Sequence, residues 1–256
     1  MIPYLLFEKI DLGPISIQVW GLFVVLAFCF ALFIAYHEAK RLKISSRHIF
    51  NLGAYSLLGA LVGARLFYVA VHWNFYYRNF LDIFKIWQGG LILYGGAIFA
   101  FLIDLMYIRK HKLNFWQIAD LAAPAVAFGL FVGRIGCFAI HDHLGKVMDR
   151  PWPWGINYFG EIRHETALYS ALNGLLMFLG MWMIRKRIKK EGVLFLIFLV
   201  WYSVARFIID AFRDFDIRVW GLTGSQYISI ILFLVAAYLL LFRFKRKPKI
   251  HTSDKL

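Results

Sequence analysis

Cysteine is scarce in this chain, with two residues in 256. Cys29 lies inside one apolar run and Cys137 near the end of another, so no disulfide framework is implied. Acidic residues are also few: 15 Asp and Glu stand against 29 Lys and Arg, a formal net charge of +14. The loops of nucleotide and hydrolase chemistry are missing. There is no Walker loop, dinucleotide fingerprint, hydrolase elbow or His-Glu-x-x-His motif. No internal repeat is visible. Glu8 and Asp11 precede the first apolar run with no small-residue cleavage pattern, so no cleavable signal peptide is expected.

What is abundant is apolar. The chain is 61% hydrophobic and 19% aromatic, with a mean hydropathy of +0.64. A soluble domain of this length is not so apolar. Seven runs approach the roughly 20 residues that cross a bilayer. They cover 18–39, 50–71, 90–108, 115–139, 166–184, 192–212 and 225–242. The third and fourth are interrupted by polar or small residues. The chain therefore reads as an all-α polytopic membrane protein with about seven transmembrane helices. One transmembrane domain covers 1–245, and a basic tail covers 246–256.

Lysine and arginine set the expected orientation. Of the 29, 18 fall in the connections of one side and 8 in those of the other, while Arg65, Arg134 and Arg206 lie inside spans. The N-terminus is then outside and the C-terminus cytoplasmic. The positive excess is a topology signal rather than a nucleic-acid patch, and the tail faces anionic lipid headgroups.

In that orientation Arg65, Arg134 and Arg206 all fall in the outer halves of their helices. A charge at a helix centre costs about 2.5–3.5 kcal/mol on insertion scales, so such residues are paired or functional. Asp210, four residues after Arg206, is on the same helix face. Asp104 and Asp120 belong toward the inner side. One carboxylate for three guanidiniums leaves positive charge over, which suits a phosphate. Two other readings stand beside this one. The three arginines can form an interhelical network with water, and Arg134, between Gly133 and Gly136, can be a snorkelling arginine beside a helix-packing glycine pair.

The outer connections are long and ring-rich. Residues 72–89 read as an amphipathic interfacial segment or an aromatic belt. Residues 140–165 hold His141, Asp142, His143, a Pro-Trp-Pro-Trp-Gly run, Arg163 and His164. The His-Asp-His spacing is too tight for two metal ligands on a helix face, and no third ligand is fixed. Acid–base work fits His143 and Asp142 better. Cys137 has no base at a fixed spacing and reads as a packing residue.

The stretch Gly133-Arg134-Ile135-Gly136-x-Phe138, followed by Gly145, resembles the signature of the prolipoprotein diacylglyceryl transferase family. Other pieces resemble that family in order. They are Trp20-Gly21-Leu22, Gly63-Ala64-Arg65-Leu66, Trp87-Gln88-Gly89-Gly90 with Tyr94-Gly95-Gly96, and Arg163-His164 before Thr166 and Leu168-Tyr169. Arg206 with Asp210 and Arg213, and Gly221-Leu222-Thr223 with Gln226, complete the set. Each is weak alone; the ordered set spans nearly the whole chain.

The resemblance implies a cofactor-free, metal-free enzyme of the bacterial inner membrane. Its substrates are phosphatidylglycerol and lipoprotein precursors with a lipobox cysteine. The thiol attacks the glyceryl carbon attached to phosphate, a thioether forms and glycerol phosphate leaves. Arg134 corresponds to the family's headgroup-binding arginine and Arg206 to its essential C-terminal arginine. The candidate catalytic set is Arg134, Arg206, His143, Asp142 and Tyr94. Arg134, Arg65, Trp20, Gly136, Gly145, Tyr169 and Asp210 are expected around the substrate. The chain departs from the family at Tyr94, commonly His, and at Trp20, usually Tyr. It also departs at Cys137 and Ile140, usually Asn, at Asp142, usually Glu, and at Ser170, commonly Glu. The thiol proton therefore goes either to His143 or Asp142, or is displaced by the field of the arginines. Tyr94 keeps a positioning role, since a hydroxyl with a pKa of about 10 donates to phosphate but is a poor base. The alternative is a diverged phospholipid-binding transporter or scaffold without this activity.

Overall fold

A computed structural model describes residues 2–13, 15–86, 89–214 and 218–245. Trp87 and Gln88 of the family-like motif and the basic tail at 246–256 lie outside the described residues. The chain forms two compact units. One joins the residues up to Ala35 to those from Ala119 onward, and the other is Tyr36–Ile118.

Helices form at all seven expected runs. They are α1 (Val19–Arg41), α2 (Ser46–Val71), α4 (Leu93–Lys110), α5 (Phe115–Ala139), α6 (Thr166–Ile184), α7 (Val193–Ala211) and α8 (Gly224–Lys245), with a single-turn α3 (Trp73–Tyr76) after α2. Six of them are long and apolar enough to cross a membrane; α4 is not among the six. It has 18 residues and carries Asp104, Arg109 and Lys110, so the expected seventh span is a helix with too little uninterrupted apolar length.

In the Tyr36–Ile118 unit, small residues bring α2 and α4 together. A Cβ on Gly63 would fall 2.5 Å from the Gly95 carbonyl, and one on Gly96 would fall 2.8 Å from the Ala60 carbonyl. Gly59-x-x-x-Gly63 and Gly95-Gly96 thus allow backbones to approach to a separation that no larger side chain permits. In the other unit, Ala123 and Ala127 of α5, Met177 and Met181 of α6, and Leu194 and Phe198 of α7 form the core. Asp120, near the start of α5, accepts the Gly192 and Phe195 N–H groups at 2.6 and 2.8 Å and so caps α7 from outside. It lies at the opposite end of α5 from Arg134.

The all-helical expectation omits one feature. Strands β1 (Ile2–Pro3), β5 (Ile156–Tyr158), β6 (Glu161–Glu165) and β4 (Leu144–Val147) pair in the order β1-β5-β6-β4. This small sheet lies beside the end of α5, the start of α6 and the end of α7. Two hairpins, β2 (Lys9–Leu12) with β3 (Ile15–Gln18) and β7 (Arg218–Val219) with β8 (Leu222–Thr223), accompany it. These strands have two to five residues, too short for an alternating pattern to stand out.

Candidate active site

At the sheet end of the larger unit, α5, α6 and α7 enclose a small cleft. Its lining includes Leu130 and Arg134 of α5, Ser170, Asn173 and Gly174 of α6, and Tyr202, Arg206 and Ile209 of α7. The volume of about 30 Å³ accommodates about two waters. Two expected arginines therefore meet in one cleft. Close packing brings α6 onto α5, since a Cβ on Gly174 would fall 2.7 Å from the Phe131 backbone nitrogen. On another side of α5, a Cβ on Gly136 would fall 2.5 Å from the Phe23 Cβ of α1, while one on Gly133 would meet only the Ala27 Cβ at 3.8 Å. Gly136 thus holds α1 close, and Gly133 leaves room.

The two guanidiniums have different surroundings. Arg206 lies 3.2 Å from the Asp210 carboxylate, which is fully buried and also lies 3.5 Å from Arg213. Ser225 donates to the other Asp210 oxygen. Arg134 has no hydrogen bond or ion pair among the described residues. The cleft thus has two cations, and its nearest carboxylate is shared with a third.

Around this cleft the family-like motifs have local roles. Gly145 forms a bridge with Arg213, and Lys146 donates its N–H to the Phe212 carbonyl at 2.8 Å. A Cβ on Gly145 would fall 2.6 Å from His164 Cβ and 2.7 Å from the carbonyls of His164 and Phe212. Arg163 joins Glu161, Asp214 and the Gly145 carbonyl. His164 pairs with the Tyr169 hydroxyl at 3.0 Å, and burial lowers its pKa. Thr223 and Gln226 satisfy each other's backbone N–H groups, a capping box that starts α8.

The other expected residues are not among the lining of this cleft. Asp142 and His143 pair at 3.2 Å on the turn after α5, partly exposed and outside the cleft lining. Trp20 stands exposed at the start of α1. Tyr94 and Arg65 belong to the Tyr36–Ile118 unit. Tyr94 is exposed at the start of α4. The buried Arg65 guanidinium donates to the carbonyls of Asp82, Ile83, Gly89 and Gly90. The residue expected to meet phosphate therefore organises a loop. Among the described residues, no three His, Cys, Asp or Glu side chains are placed to hold a metal ion.

Sequence reasoning missed Tyr202, Asn173 and Ser170 as cleft residues. A signal existed for Tyr202, which precedes Arg206 by four residues and so shares its helix face.

Comparison with known proteins agrees with the motif pattern. The profile of the family described as Prolipoprotein diacylglyceryl transferase matches residues 8–242. A phosphatidylglycerol–prolipoprotein diacylglyceryl transferase of Listeria innocua is 32% identical over 259 residues, covering 96% of this chain and 93% of the relative. One of Geobacillus kaustophilus is 33% identical over 246 residues, covering 91% of each. One of Streptococcus equi subsp. zooepidemicus is 30% identical, covering 92% of this chain and 93% of the relative. With a match that runs from the first hairpin to the last helix, this chain belongs to the prolipoprotein diacylglyceryl transferase family.

Proposed function

We propose that this protein transfers the diacylglyceryl group of phosphatidylglycerol to the cysteine thiol of a lipoprotein precursor, and that the α5–α6–α7 cleft binds the phosphate. The observation that carries the reading is Arg134, a cation with no partner among the described residues, in an apolar helix beside Arg206. The thiol sulfur forms a bond to the glyceryl carbon that bears the phosphate. The carbon–oxygen bond breaks, and glycerol phosphate leaves with the electron pair. Negative charge grows on the leaving oxygen, and fixed guanidiniums in a water-poor cleft stabilise it. The positive field of the arginines stabilises the thiolate directly, or the proton passes to the Asp142–His143 pair, which stands outside the cleft lining. Trp20, Tyr94, Gly136, Gly145 and Tyr169 belong to the substrate environment in this reading, and Arg65 supports it through its loop. A binder without transferase activity is disfavoured by nearly full-length similarity to relatives named as transferases.

The test supplies labelled phosphatidylglycerol and a lipobox peptide to the purified protein in detergent or liposomes. Thioether-linked diacylglyceryl peptide and free glycerol phosphate are expected in equal amounts. Lipid binding without either product would leave the binder reading.

We further propose that residues 1–245 work as one catalytic domain in the bacterial inner membrane, with the N-terminus and residues 140–165 outside. Support comes from the 18-to-8 division of basic residues. An impermeant thiol reagent on intact cells should label Lys146→Cys and spare Lys189→Cys; the reverse pattern would mean an inverted topology.

A further inference from the structure

Glu165 is fully buried, yet among the described residues no arginine or lysine pairs with it. One carboxylate oxygen lies 3.0 Å from His141 Nδ1, and the other has no hydrogen-bond partner. His141 is itself buried, stacked on Tyr4 at 4.9 Å and edge-on to Phe138 at 5.5 Å. Its φ of +47° is in the left-handed region, which costs a residue with a Cβ about 1 kcal/mol or more and persists only where surrounding contacts enforce it.

The position of this pair in the chain gives it consequence. His141 ends the turn that closes α5, with its N–H on the Phe138 carbonyl at 3.1 Å. Glu165 immediately precedes α6. The Glu165–His141 bond therefore joins the end of α5 to the start of α6, and Thr166 adds a second tie by donating to the His143 carbonyl at 2.5 Å. These two helices supply Arg134, Ser170, Asn173 and Gly174 to the cleft.

We propose that Glu165 and His141 are positioning residues that clamp α5 to α6 beside the arginine cleft, and that the clamp holds while Glu165 keeps its proton. In this form the Glu165 O–H donates to His141 Nδ1, which leaves the imidazole N–H on Nε2. The titratable groups around the pair are Tyr4 and Glu8 of the N-terminal segment, Asp142 and His143 of the turn, Tyr158 of β5 and Tyr169 of α6. No permanent cation is among them to hold a carboxylate in a dry site. Burial raises the Glu165 pKa to about 8, opposed by the Ala167 backbone N–H and aided by Asp142, and burial lowers that of His141.

The sign follows from the folded state holding a proton that the unfolded state has released. Between the ordinary value of 4.5 and about 8, the Glu165 contribution to stability declines as pH rises, and it is flat above. Glu165→Gln supplies a neutral donor to Nδ1 and removes this titration. Two measurements test the clamp on the full chain in detergent: the thermal midpoint from pH 6 to 9.5, and KM and kcat for phosphatidylglycerol. The variant should lose the decline of the midpoint between pH 6 and 8. At pH 7 its KM should lie within about twofold of the parent, whereas Glu165→Ala and His141→Ala should raise KM about tenfold. The kinetic arm rests on the proposed transfer reaction; the stability arm does not. An unchanged pH slope in Glu165→Gln would overturn the clamp. So would an inactive Glu165→Gln of parental stability, because the carboxylate would then be needed ionised.

Discussion

Arg134→Ala should abolish most transfer while leaving the protein as stable as before, or more so. Removing one preorganised donor to a developing anion costs about 2.7–4 kcal/mol, or 100- to 1,000-fold in rate. In most proteins loss of a buried charged residue also costs stability, because a partner is stranded. Arg134 has no such partner among the described residues. Its removal relieves an unpaired cation that costs up to about 3 kcal/mol in a membrane helix. Arg206→Ala should lose activity to a similar degree but behave differently in a thermal melt, because the fully buried Asp210 then keeps Arg213 and Ser225 alone. Arg134→Lys should stay well below the parent in kcat/KM, because a point charge does not reproduce a planar two-donor fork. Parallel assays and melts of the three variants are the measurement. Full activity in Arg134→Ala would remove the phosphate from this cleft.

A single methyl group at Gly145 should have the next largest effect. It would fall 2.7 Å from two backbone carbonyls, those of His164 and Phe212, and neither can swing aside as a flexible side chain would. These contacts join β4 to β6 and to the end of α7, just after Asp210. Overpacking of this kind costs about 1–3 kcal/mol or somewhat more, and each kcal/mol lowers the melting midpoint by roughly 2–4 °C at this chain length. Because the shift displaces the end of α7, transfer should fall with stability. Gly133→Ala is the matched control. Its new Cβ meets only the Ala27 Cβ at 3.8 Å, an ordinary contact, so melting temperature and turnover should stay near parental. Equal tolerance at Gly133 and Gly145 would mean that the sheet end is looser than its contacts indicate.

The helices were readable because their signal is local. The runs expected at 115–139 and 166–184 match α5 and α6 to the residue. In both, the ends of the run are marked by polar loops, even though the first of them is interrupted by polar and small residues. The meeting of Arg134 and Arg206 was readable for a related reason. A topology drawn from basic residues assigns a depth to every intramembrane charge, and equal depth on neighbouring helices brings side chains together. The sheet was not readable in the same way. Ile2 pairs with Ile156 and Leu144 with Glu165, and no local periodicity encodes a partner so far along the chain. Glu165 stayed hidden because an acid in a polar loop looks solvated until a fold buries it. The Asp142–His143 pair shows the limit of proximity in sequence, since eight residues from Arg134 are enough to leave the cleft.

The loop around Arg65 shows another way to satisfy a backbone. Carbonyls need a donor, and a chain usually finds donors by forming a strand or helix. In this stretch one guanidinium supplies the donors for Asp82, Ile83, Gly89 and Gly90. These bonds, with a longer one to the Lys85 carbonyl, all go to main-chain oxygens, so the segment's shape is specified in part from outside its own side chains. The architecture of the segment is encoded some twenty positions upstream, in a helix that has finished before the segment begins.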